Sequence, residues 1–113
     1  LLENLVYLEL LRRKEQVMYY SDPQRKYEVD FVCRAGAGGA VRLMQVCLDT
    51  SIAEVKEREL RGLQSALGVF KDVAADGLLL LTLDRGGTER IAGHKVECVP
   101  VWEWLLAPGK GIL

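Results

Sequence analysis

Glu28-Val29-Asp30-Phe31-Val32-Cys33-Arg34, then Ala35-Gly36-Ala37-Gly38-Gly39-Ala40, then Val41-Arg42-Leu43-Met44-Gln45-Val46-Cys47-Leu48 is the stretch on which the fold turns. Tyr27, Val29, Phe31 and Cys33 alternate with Glu28, Asp30 and Val32, which predicts a strand over residues 27–34 with one apolar face and two carboxylates on the other. The glycine run reverses the chain, so residues 41–48 return as the second arm of an antiparallel hairpin. Gln45, Cys47 and Asp49 fall on one face of that arm. Because the Gly36–Gly39 run joins two strands and does not open a helix, it reads as turn chemistry and not as a phosphate cradle.

Working outward, Leu2, Leu5, Val6, Leu8, Leu10 and Leu11 recur at helical spacing and end in the basic turn Arg12-Arg13-Lys14, predicting a first helix. Residues 16–20 form a short strand stopped by Ser21-Asp22-Pro23-Gln24. After the hairpin, Ser51 with Glu54 reads as a capping box. It opens a second helix whose Ile52, Val55, Leu60, Leu63, Leu67 and Phe70 keep the 3.6 period. Asp76-Gly77 leads into Leu78-Leu79-Leu80-Leu81-Thr82-Leu83, an interior strand reached by a right-handed crossover. Residues 85–89 read as a turn, 95–99 as a last strand closed by Pro100, and 101–106 as a short helix in which Trp102 and Trp104 anchor the end of the domain. His94 is expected in an exposed turn.

At 113 residues the chain makes one domain, here residues 1–107 with a tail at 108–113. It opens on Leu1-Leu2 without Met or a capping residue, and is expected to be a piece of a longer protein. Fifteen basic residues against 16 acidic ones leave a net charge of -1, so the chain has no general attraction for a phosphate backbone. Nucleic-acid binding would have to use a local patch, with Arg12, Arg13, Lys14, Arg25 and Lys26 as candidates. The alternative is that these are solvated helix-end and turn charges. Cys33, Cys47 and Cys98 lack paired spacing and are expected to be reduced and buried, which fits a cytoplasmic setting. No stretch is apolar enough to cross a bilayer and no signal peptide opens the chain, so no membrane partner is expected.

The predicted order resembles the αβββαβ core of the PD-(D/E)XK nuclease-like fold: a mixed central sheet flanked by helices, with an extra C-terminal strand and short helix. More narrowly, the chain resembles the C-terminal nuclease-like domain of bacterial and archaeal AAA-type ATPases, a domain of unknown function. The resemblance is carried by Glu3-Asn4-Leu5-Val6-Tyr7-Leu8-Glu9-Leu10, Glu28-Val29-Asp30-Phe31, Gln45-Val46-Cys47, Glu57-Arg58-Glu59-Leu60 and Val99-Pro100-Val101-Trp102-Glu103-Trp104-Leu105-Leu106, in that order. It implies an ATPase domain upstream in the same chain, and agrees with the lack of a Gly-x-x-x-x-Gly-Lys-Ser/Thr loop here.

In such nucleases an Asp and an acid-x-Lys pair on the next strand hold a divalent metal and steer the attacking water. The resemblance puts Glu3, Asp30, Gln45 and Cys47 at those catalytic positions, with Asp30 as the surviving metal ligand. Gln45 supplies a neutral carbonyl in place of a carboxylate, which weakens any grip on Mg²⁺. Cys47, mostly a neutral thiol near pH 7, cannot replace an ammonium group. A relocated acid or lysine could come from Glu54, Lys56, Glu57 or Glu59, or from Asp49; otherwise those charges form a solvated face with pairs such as Glu54 with Arg58. The expected function is therefore a non-catalytic accessory domain of an ATPase that needs no cofactor and recognises DNA or a protein. The alternatives are an active Mg²⁺-dependent DNA nuclease and a protein-protein or oligomerisation module.

Overall fold

A computed structural model describes residues 2–34 and 39–107. The glycine-rich turn at 35–38 and the tail at 108–113 lie outside the described residues. The chain runs α1 (Leu2–Arg12), β1 (Gln16–Ser21), β2 (Glu28–Arg34), β3 (Val41–Cys47), α2 (Ala53–Leu67), β4 (Val73–Thr82), β5 (Gly87–Ile91), β6 (His94–Pro100) and α3 (Val101–Leu106). Six strands form one mixed sheet in the order β1-β2-β3-β4-β6-β5. The pairs β3–β4 and β4–β6 are parallel and the others antiparallel.

The sheet is the middle of three layers. Leu63 and Ala66 of α2 pack on Val29, Val32, Leu43, Cys47, Leu78 and Leu80 on one side. On the other, Val6 and Leu10 of α1 and Val101 and Trp104 of α3 cover Phe31, Cys33, Met44, Val46 and Leu81. The apolar run 78–81 is thus apolar on alternate sides because both sides are covered, as its composition predicts.

Four sequence expectations need correction. The turn expected at 85–89 is largely strand: β5 begins at Gly87 and pairs with β6 from Gly87↔Cys98 to Ile91↔His94. The capping box does not form, because α2 starts after Ile52 with no side-chain cap. Ser51 instead bonds Asp49, its N–H donating to Oδ1 at 3.0 Å and its hydroxyl to the same oxygen. Trp104 is buried, but Trp102 is 55% exposed, so the burial at the end of the domain falls to Trp104. Finally, β2 does not keep one apolar face, since Val29 and Val32 point to the α2 side and Phe31 and Cys33 to the other. The β1–β2 register explains this: between Met18↔Val32 and Tyr20↔Val29, two steps of β1 stand against three of β2. The extra residue is a bulge at Asp30-Phe31, which re-aims the Asp30 side chain.

Candidate functional site

The hairpin ladder between β2 and β3 runs from Arg34↔Val41 to Phe31↔Met44 and stops there. The next pair in register would be Asp30 and Gln45, and from this point the two strands separate. Their side chains make the bonds that the backbones no longer make. Asp30 N donates to Gln45 Oε1 at 2.8 Å, and Val46 N donates to Asp30 Oδ2 at 2.8 Å. Gln45 Nε2 donates to the backbone carbonyls of Glu28 at 2.7 Å and Glu59 at 3.1 Å, so one amide ties β2, β3 and α2 together. Gln45 is 1% exposed.

Gly62 is what lets α2 sit this close. A Cβ there would lie 2.3 Å from the Glu28 carbonyl oxygen and 2.6 Å from Gln45 Nε2. No other residue fits without the helix lifting away.

Around the fork lie four carboxylates, of Glu3, Glu28, Asp30 and Glu59. Burial, then the neighbouring Glu3 and Glu28 charges, push Asp30 up to about 6, against the bond from Val46 N–H, which lowers it. Burial, followed by the Asp30 charge, pushes Glu59 up to about 7. Glu28 also accepts a hydrogen bond from the Tyr19 hydroxyl. Among the described residues, no three His, Cys, Asp or Glu side chains are grouped to hold a metal ion. The residues that the resemblance would assign to a metal centre do not fit one: both ends of the Gln45 amide and one Asp30 oxygen are already bonded, and Gln45 carries no charge.

Cys47 is buried, with its thiol 3.8 Å from the Asp49 carbonyl oxygen. Burial, then the Glu59 charge, raises its pKa, so it stays a neutral thiol and supplies no cation. Cys33 is buried as well and pushed up to about 12, and Cys98 is half-buried.

The basic candidates separate into two groups. Arg12 and Arg13 both bond Glu9, at 2.6 and 2.7 Å, and Arg13 also stacks 4.4 Å above the Trp104 ring and donates to the Trp104 carbonyl. This group ties α1 to α3; Lys14 follows in the turn. Arg25 and Lys26, by contrast, carry no ion pair among the described residues. On α2 the pairs are Arg61 with Glu57 at 2.7 Å and Arg58 with Glu59 at 3.8 Å, in place of the expected Glu54 with Arg58. Lys56 bonds Glu89 of β5 at 3.0 Å, and Asp49 is engaged by Ser51. His94 is exposed where β6 begins.

Residues 1–104 match the family described as a domain of unknown function, DUF4143. The chain belongs to this family. It is similar to the uncharacterized protein MJ1544 of Methanocaldococcus jannaschii, with 36% identity over 116 residues that cover 94% of this chain and 24% of that protein. The DUF4143 chain thus spans about a quarter of the length of this relative. No solved structure matches it. Sequence reasoning on this DUF4143 domain reached Asp30, Gln45 and Cys47 but missed Gly62, although an isolated glycine inside a strong helical period was a visible signal of close packing.

Proposed function

We propose that this domain is a non-catalytic recognition unit with a nuclease-derived αβββαβ core, serving an AAA-type ATPase domain in the same polypeptide. One observation carries the reading: the Gln45 amide, at the position where a nuclease needs a metal-binding acid, spends its oxygen and its nitrogen on backbone partners at 2.7–3.1 Å. A residue so bonded is a structural clamp. The neutral, buried thiol of Cys47 at the lysine position agrees with it. The greater length of the archaeal relative leaves room for an ATPase domain. The test is incubation of single- and double-stranded DNA with the domain and Mg²⁺ or Mn²⁺. The expected result is no cleavage above that of Asp30→Ala; cleavage that this substitution abolishes would overturn the proposal.

One feature favours a second reading, a Mg²⁺-dependent nuclease with its acid relocated to α2. The Asp30 charge raises the Glu59 pKa, as one acid does to another where the two share a cation. That reading requires Mg²⁺ to raise the melting temperature near pH 8 and requires Glu59→Gln to remove the effect. Unchanged melting with Mg²⁺ leaves the clamp reading in place.

A further inference from the structure

The β1–β2 turn is held by a buried acid. Asp22 is 9% exposed, and its Oδ1 accepts from Lys26 N at 2.7 Å and Tyr27 N at 2.9 Å, while its carbonyl accepts from Arg25 N at 2.9 Å. These bonds keep Arg25 at φ 56°, a left-handed conformation that a residue with a Cβ adopts only when its surroundings hold it there. Arg25 and Lys26 of the turn, with Tyr27, Glu28 and Arg58 and Glu59 of α2, line a cavity of about 290 Å³.

Arg58 reaches Glu59 only at 3.8 Å and Arg25 and Lys26 carry no ion pair among the described residues, so the cations outnumber the acids around this cavity. Lys26 Nζ sits 5.5 Å from the centre of the Tyr27 ring, which holds it at the cavity without neutralising it. The same Tyr27 also lines the adjoining cavity of about 460 Å³ toward Arg61, room for the residue next to a bound group. Three cationic donors lining one cavity of this size match a tetrahedral oxyanion.

We propose that Arg25, Lys26 and Arg58 form a phosphate-binding site that takes a backbone phosphate of a single-stranded nucleic acid, with the chain continuing along Tyr27. This deepens the proposal that the domain recognises and does not cut. An acidic peptide is the competing occupant, but its carboxylates are planar and borne on longer arms, whereas the short rigid turn sets its cations around one point.

The test titrates a fluorescent 12-nucleotide single strand into the domain with EDTA over a salt series, using inorganic phosphate and polyglutamate as competitors. Arg25→Asn keeps a residue tolerant of the left-handed turn, and with Arg58→Gln it should weaken binding at least about tenfold. It should also flatten the log-log salt slope by about 1.4, at about 0.7 per lost contact. Arg90→Gln, on the far edge strand, should bind as wild type, and circular dichroism should show every variant folded. Phosphate should compete weakly and polyglutamate less than an unlabelled strand. No binding at low salt, wild-type binding by the double variant, or equal competition by polyglutamate would overturn the site. Repeating the titration with Mg²⁺ separates the two proposals. Cleavage there sinks the non-catalytic reading while binding in EDTA keeps the site; absence of both sinks the site alone.

Discussion

Asp30 and Gln45 are bonded to each other across the mouth of a strand fork, Asp30 N donating to Gln45 Oε1 at 2.8 Å. The contact has a mechanical meaning, because it stands where the β2–β3 ladder ends after Phe31↔Met44. Backbone groups that would otherwise be orphaned at the fork are satisfied by two side chains and capped by α2. Gln45 supplies a neutral donor and acceptor to a closed network.

Replacing Gln45 with Glu should therefore destabilise the domain and not repair it. The carboxylate cannot donate to the Glu28 and Glu59 carbonyls and would face both at close range, beside Asp30. Leaving buried groups unpaired next to a buried charge is worth about 2–4 kcal/mol. Urea unfolding at pH 7.5 reads the loss. A Gln45→Glu variant as stable as wild type, and tighter for Mg²⁺, would show that the clamp is not needed.

Gly62→Ala offers a test with an unusual sign. In a solvent-exposed helix interior, Gly to Ala stabilises by about 1 kcal/mol. Here the new methyl would meet the Glu28 carbonyl oxygen at 2.3 Å and Gln45 Nε2 at 2.6 Å, so either α2 or the amide must move. The expected outcome is a loss of about 1–3 kcal/mol in urea unfolding, as for other overpacked sites. Gly62→Ala should cost less in a Gln45→Ala background than in wild type, since one of the two atoms it meets is gone.

How far the sequence reveals this architecture depends on where each element's determinants lie. α1, β3, α2 and β4 are legible because periodicity and apolar runs are local properties of Leu2–Arg12, Val41–Cys47, Ala53–Leu67 and the Leu78–Leu81 run. β5 is not, because Gly87-Thr88-Glu89-Arg90-Ile91 has turn composition and becomes strand only through its pairing with β6. The capping box failed for a related reason: Asp49 competes for Ser51, and a motif search does not see the rival acceptor. Asp30 and Gln45 meet where the hairpin register puts them. The role of Gln45 was hidden, since its carbonyl partners at Glu28 and Glu59 are set by the fork and by the approach of α2 at Gly62.

Arg13→Ala should loosen the α1–α3 contact without touching the fork. Arg13 bonds Glu9, stacks on Trp104 and donates to the Trp104 carbonyl, which satisfies an end group of α3. The expected cost is about 1–2 kcal/mol, with a blue or red shift of tryptophan fluorescence that Arg12→Ala does not give. Equal effects from the two arginines would mean that the stacking on Trp104 contributes nothing.

The buried acids predict how stability depends on pH. Asp30 rises from 3.8 to about 6 and Glu59 from 4.5 to about 7, so the folded state binds protons more tightly than the unfolded chain. Groups shifted this way add stability that is complete below their ordinary carboxylate values and is lost as pH climbs through about 6 and about 7. Urea midpoints should therefore fall between pH 4.5 and 7.5, opposite to the trend of salt-bridged acids. Glu59→Gln imitates the protonated form, because its amide needs no charge and keeps the shape. It should be more stable than wild type by about 1–2 kcal/mol at pH 8, indistinguishable from it at pH 4, and flatter in between. Asp30→Asn should behave less simply, since it trades the carboxylate that accepts from Val46 N for an amide oxygen that can still accept. A profile that rises from pH 4.5 to 7.5, or a Glu59→Gln variant weaker than wild type at pH 8, would mean that the carboxylate at residue 59 is held by a cationic partner and not by burial beside Asp30.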